Sequence, residues 1–131
     1  MGRSTYARRK ERGQELVEFA LILPLLLLLL VGIFEFGYVV FAQNTLSNAV
    51  REGARYGAVK PDNQADIVTH AERLTTGLDS DNLTWDVDDS TSGRIAVSAT
   101  YTHTLFTGFL WQAFGGDSVT LRASSSMGIE R

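Results

Sequence analysis

The sequence predicts an α+β fold: a long N-terminal helix packed on a short second helix and a small antiparallel sheet of about three strands. Three observations predict it. An uncharged apolar run extends from Phe19 to Phe34 and resumes after Glu35 from Phe36 to Ala42. Helical signals then continue, without proline, from Gln43 to Val59. Beyond Gly77 the hydrophobic period changes from near-helical to two.

The first half of the long helix is membrane-spanning by length. At about 1.5 Å per residue, Leu16 to Ala42 covers roughly 40 Å, more than the roughly 30 Å of a bilayer's hydrocarbon layer. Glu35 falls about 24 Å above Phe19, near the far interface rather than at the midplane. Arg3, Arg8, Arg9, Lys10 and Arg12, against Glu11, make the head basic, which orients it toward the cytoplasm. The rival reading is a secretory signal cut after Val40-Phe41-Ala42, but this apolar stretch exceeds the roughly 7–15 residues of a signal core.

From Gln43 to Val59, Leu46, Val50 and Ala54 keep near-helical spacing, and Ala49, Gly53 and Gly57 fall four apart. Such a strip of small residues lets another element approach closely. Pro61 ends the helix. A second helix is expected from about residue 64 to 76. Asn63 and Asp66 resemble a capping box, Ile67, Ala71 and Leu74 form one apolar face, and Gly77 stands at the C-cap. Strands follow where Leu83, Trp85 and Val87, then Ile95, Val97, Ala99 and Tyr101, then Val119, Leu121 and Ala123 alternate with polar or small residues. "DDSTSG", from Asp88 to Gly93, reads as a hairpin turn. "FTGFLWQAFGGD" reads as an apolar connection whose Phe109, Leu110, Trp111 and Phe114 are expected in the core, since exposed apolar patches are uncommon on soluble domains.

Net charge is −3 over 131 residues, and everything after the basic head is acidic in sum, the opposite of a nucleic-acid-binding domain. The absence of cysteine excludes disulfides, thiol catalysis and Cys-ligated metal or iron–sulfur sites. His70 and His103 stand on different predicted elements with no acid at ligand spacing, so no metal site is expected. Asp79, Asp81, Asp86, Asp88 and Asp89 do not make a calcium loop: counted from Asp86, the sixth and twelfth positions hold Thr91 and Val97 instead of Gly and Glu. No phosphate loop, nucleophile elbow or HExxH motif is present. The expectation is a protein without enzymatic activity, cofactor or small-molecule substrate.

Glu15 and Glu18 at the mouth of the apolar run then need a reason, because a carboxylate near hydrocarbon is costly. One is the positive end of the helix dipole, which favours acids at headgroup level. The other is assembly: were the chain cut between Gly13 and Gln14, Glu18 of the same or a neighbouring chain could pair with the new α-amine of Gln14. Physics alone leaves the two even. Pro24 deprives the carbonyl of Ala20 of its usual donor, a common device in membrane helices.

Gly13, followed after four residues by Glu18-Phe19 and a Leu-rich run, looks like the processing site of Flp-type type IV prepilins. More specifically, "RGQELVEFALILPLLLLLLVGIFEFG" together with "NAVREGARYGAV" resembles the TadE-like family, minor pilins or pseudopilins of the tight-adherence (Tad) pilus system. The resemblance is dense from Arg12 to Gly57. It implies a pilin-like fold and a cytoplasmic leader over residues 1–13. A transmembrane helix over 14–42 and an extracytoplasmic domain over 43–131 follow, with the helix continuing to about residue 59. It implies that Gly13, Gln14, Glu18 and Phe19 form the processing site of a prepilin peptidase; Glu18, Glu35, Gly53 and Gly57 are the residues expected to serve assembly and packing. The implied partners are other minor pilins, the major pilin and the inner-membrane assembly platform. Two rivals stay open: a membrane-tethered binding module that docks a partner on the "GFLWQAF" loop, and a soluble domain secreted after a signal peptide.

Overall fold

The structure is a computed structural model that describes residues 4–89 and 93–130, and of residues 4–12 and 114 the backbone alone. Outside the described residues lie Arg3, the side chains of the remaining basic-head residues, the middle of the expected 88–93 turn, and the side chain of Phe114. The elements in order are helix α1 (Ser4–Val59), helix α2 (Gln64–Glu72), a 3-10 turn (Ser80–Asn82), strands β1 (Leu83–Asp88) and β2 (Arg94–Thr104), helix α3 (Gly108–Trp111), a 3-10 turn (Gln112–Phe114) and strand β3 (Ser118–Gly128). This is the α+β fold that the sequence predicts. The chain divides into two compact units, Met1–Glu35 and Phe36–Arg131.

The first unit is the N-terminal part of α1. Its leucines are exposed on every side, Leu21 at 75% and Leu25 at 70%. An all-round apolar helix has no polar face to offer water. Among the described residues this is the one helix long and apolar enough to cross a membrane, and none of its most apolar window is buried. Pro24 sits inside it without ending it.

In the second unit, the rest of α1 and α2 pack on one face of a three-stranded antiparallel sheet ordered β1-β2-β3. The central strand explains the core. Ile95, Val97, Ala99 and Tyr101 of β2 are buried on the helix-facing side, with Leu46, Val50, Ala54, Ile67 and Ala71 against them. β1 pairs with β2 in the register Trp85 to Ala99, and β3 pairs with β2 in the register Leu121 to Tyr101. Residues alternate in burial along both edge strands, as a sheet covered on one face requires.

α1 and β2 run in opposite directions. A Cβ on Gly57 would lie 2.8 Å from Ile95 Cδ1, and one on Gly53 3.3 Å from Val97 Cγ1. At the other end, the Tyr38 ring lies 4.4 Å from that of His103, and the Tyr38 and Tyr101 hydroxyls are 2.9 Å apart. The C-terminal end of β2 therefore lies where the second unit begins.

One expectation needs correction. α2 stops at Glu72 rather than near residue 76. Leu74 N–H donates to Ala71 O, Thr75 N–H to Glu72 O, and Thr75 Oγ1 to Glu72 O at 2.8 Å. These i→i−3 bonds tighten the chain into a turn. Leu74 is left 46% exposed instead of continuing the Ile67–Ala71 face. The start is as read: Asn63 Oδ1 accepts from Asp66 N–H at 3.3 Å.

Candidate functional site

Helix geometry sets the arrangement at the start of the apolar run. Gln14 and Glu18, four apart, share one face of α1, and Glu15 and Glu18, three apart, are neighbours. Gly13, Gln14, Glu15 and Glu18 are all exposed, and Phe19 is 59% exposed. A Cβ on Gly13 would meet nothing within 4 Å. Glu18 and Glu35 are about 25 Å apart along the helix, so they do not act as a pair.

Gly53 and Gly57 occupy a different setting. Both are buried, and their close neighbours belong to the same chain: Ala71 and Val97 at Gly53, Ile95 and Ile67 at Gly57. The small-residue strip brings the chain's own helix and sheet together.

Polar chemistry in the second unit gathers at the C-terminal end of α1. Glu52 accepts from Arg55 Nε and Nη2, both at 3.0 Å, which raises the Arg55 pKa above its usual value. His70 Nε2 lies 3.8 Å from Glu52 Oε1, and its ring stacks on Tyr56 at 4.5 Å. Lys60 Nζ stands over the same Tyr56 ring, 5.6 Å from its centre. With Glu130 they line an open cleft of about 460 Å³. Sequence reading missed this cluster, although Glu52 and Arg55 at i,i+3 were visible. What joins His70 and Glu130 to them is tertiary. The aspartates near residue 80 have local work: Asp79 accepts from Asp81 N–H at 3.1 Å and from Asn82 Nδ2 at 3.2 Å, capping the 3-10 turn.

The apolar connection between β2 and β3 is a second correction. Core burial was expected for Phe109, Leu110 and Trp111. They are instead exposed, at 71%, 38% and 50%, and Phe106 reaches 88%. The β2–β3 ladder closes at Thr104 and Ser118, and α3 is too short to fold back under the sheet.

A family model described as TadE-like protein matches residues 13–55. That segment is similar to the TadE-like family. The matched segment takes in the Gly13–Phe19 pattern, the apolar run and Gly53, and stops short of Gly57. Comparison with curated proteins and with solved structures gave no significant match.

Proposed function

We propose that this TadE-like chain is a minor pilin or pseudopilin that acts, without enzymatic activity of its own, in assembly of a Tad (Flp-type) pilus. The observation that carries the reading is the Gly13–Glu18–Phe19 pattern, opening an exposed apolar helix within the segment that the TadE-like model matches. A prepilin peptidase cuts between Gly13 and Gln14 and leaves the anchor on the mature protein. The new α-amine, with an ordinary pKa near 8, is largely cationic at neutral pH (about 7.7–8.0 in model peptides). Glu18 of the same or a neighbouring chain pairs with it near the low-dielectric interface. The basic head stays in the cytoplasm, and residues 43–131 stand outside the cytoplasmic membrane. There the protein meets other minor pilins, the major pilin and the assembly platform.

Burial within the second unit argues against the secreted rival. A cut after Ala42 would strip from the folded unit both Ala42, which is fully buried, and Tyr38, which bonds Tyr101 and Gly77 O.

Glu18→Gln tests the assembly role, since it keeps size and polarity and removes charge. The expected result is normal membrane level and normal processing, with pilus output and cross-linking to other pilins lost. Assembly equal to the parent would leave Glu18 as a headgroup-level acid favoured by the helix dipole. Loss of cleavage would assign it to peptidase recognition.

A further inference from the structure

We propose that the open face of the sheet docks a second copy of this chain, face to face about a two-fold axis parallel to the strands. Asp86 of each copy then meets the Ser98–Ser124 row and Arg122 of the other. The contact goes beyond the pilin reading above and takes from it only the anchor.

The two faces of the sheet differ. The odd-numbered residues of β2 from Ile95 to Tyr101 are buried under the helices, and the even-numbered residues of all three strands point the other way. On that open face β2 carries Ala96, Ser98, Thr100 and Thr102 between the edge strands. These side chains are small, so a second sheet has room to approach to about 10 Å. A shallow cavity of about 350 Å³ opens there, lined by residues 98–100 and 122–124.

Charge on this face is separated by strand. β1 carries Asp86 and Asp88, and β3 carries Arg122. Arg94, at the start of β2, reaches to the β3 side, where its Nη2 donates to Ser126 Oγ at 3.3 Å. Asp86 pairs in register with Ser98, and Ser98 with Ser124. Two strand spacings, about 10 Å, therefore separate Asp86 from the strand that bears Arg122. Among the described residues no ion pair joins Asp86 to Arg122. The face is acidic along one edge and basic along the other, and so complements itself.

That separation selects the occupant and the symmetry. A two-fold axis parallel to the strands sets β1 of one copy over β3 of the other, and β2 over β2, without change of level along the strands. Asp86 of the second copy stands over the Ser98–Ser124 row and the cavity, with Arg122 one pleat away, and the contact is made twice. A two-fold axis across the strands would set β1 over β1 and bring like charges together, which is destabilising. The parallel axis also keeps the α1 segments running the same way. Both chains then enter the second unit at Phe36 from one end, as two chains anchored in one membrane do. Exposed ion pairs contribute little on their own. Tethering both copies to one membrane raises their effective concentration and populates the contact.

The test uses the full chain in its membrane. The protein has no cysteine, so Ser98→Cys, on the strand that faces itself across the axis, introduces a single thiol. A short bis-maleimide should link two copies through it, whereas Arg73→Cys, exposed at the end of α2, should stay monomeric. In the Ser98→Cys chain, Asp86→Arg or Arg122→Asp should each lower the linked yield by about threefold or more, and the two together should restore it. Both side chains are exposed, so neither reversal disturbs the core. Absence of a linked dimer at Ser98→Cys would overturn the proposal. So would a yield that either reversal leaves unchanged, or that the double exchange fails to restore. Equal linking at Arg73→Cys would reduce the dimer to random encounter and overturn it too. Protein absent from the membrane fraction would overturn the anchored reading and, with it, the tethering that this contact needs. Pilus output does not enter the readout, so loss of the assembly role alone leaves the result standing.

Discussion

At Gly57 a single methyl group has nowhere to go. Its Cβ would lie 2.8 Å from Ile95 Cδ1 and 3.0 Å from Ile67 Cδ1, and both isoleucines are fully buried. Overpacking of this kind costs about 1–3 kcal/mol, whereas alanine gains about 1 kcal/mol over glycine in a helix. Packing wins. Gly57→Ala should lower the stability of the folded unit by up to about 2 kcal/mol in denaturant unfolding of the detergent-solubilised chain. Gly37→Ala, where a Cβ meets nothing within 4 Å, should be neutral or slightly stabilising. The four-residue spacing of Ala49, Gly53 and Gly57 made the close approach legible in the sequence. Its partners were not, because Ile95 and Ile67 are brought there by tertiary folding. The Tyr38–Tyr101 hydroxyl pair was hidden for the same reason: 63 residues separate its members.

The helices and strands differ in how plainly their ends are written. α2 starts where Asn63 caps it, and that signal is local, a side chain bonded to the backbone three residues on. Asn63→Ala should cost roughly 1 kcal/mol, read as faster amide exchange in residues 64–72 with the β2 amides less affected. The end of α2 was misread because Leu74 continues the apolar spacing while Thr75 diverts the backbone onto Glu72 O. β3 runs on to Gly128, past the alternation that ends near Ala123. Ser124, Ser125 and Ser126 carry no hydrophobic pattern, yet each pairs with β2, opposite Ser98, Val97 and Ala96. The length of this strand comes from its neighbour rather than from its own residues. Exposure of Phe109 and Trp111 was illegible for another reason: a buried apolar loop and an exposed one have the same composition.

For the molecule as a whole, the long apolar helix and the α+β order of elements were legible in the sequence, because length and hydrophobic period are linear properties. The charged cleft around Glu52, His70 and Glu130 was not, since it is assembled from α1, α2 and the residues after β3. The basic head and acidic remainder predict that the C-terminus lies outside the cytoplasmic membrane. A reporter active only in the cytoplasm, fused after Arg131, should therefore be silent, and strong activity would reverse the orientation. The claim that joins anchor, motif and assembly is that the chain is cut within its head and keeps its apolar helix. Intact mass and N-terminal sequence of the protein isolated from membranes test it most directly. The expected mature form begins at Gln14 and retains the helix through Ala42. A membrane form with an uncut head would contradict the processing, and a mature protein beginning at Gln43 would contradict the anchored account altogether.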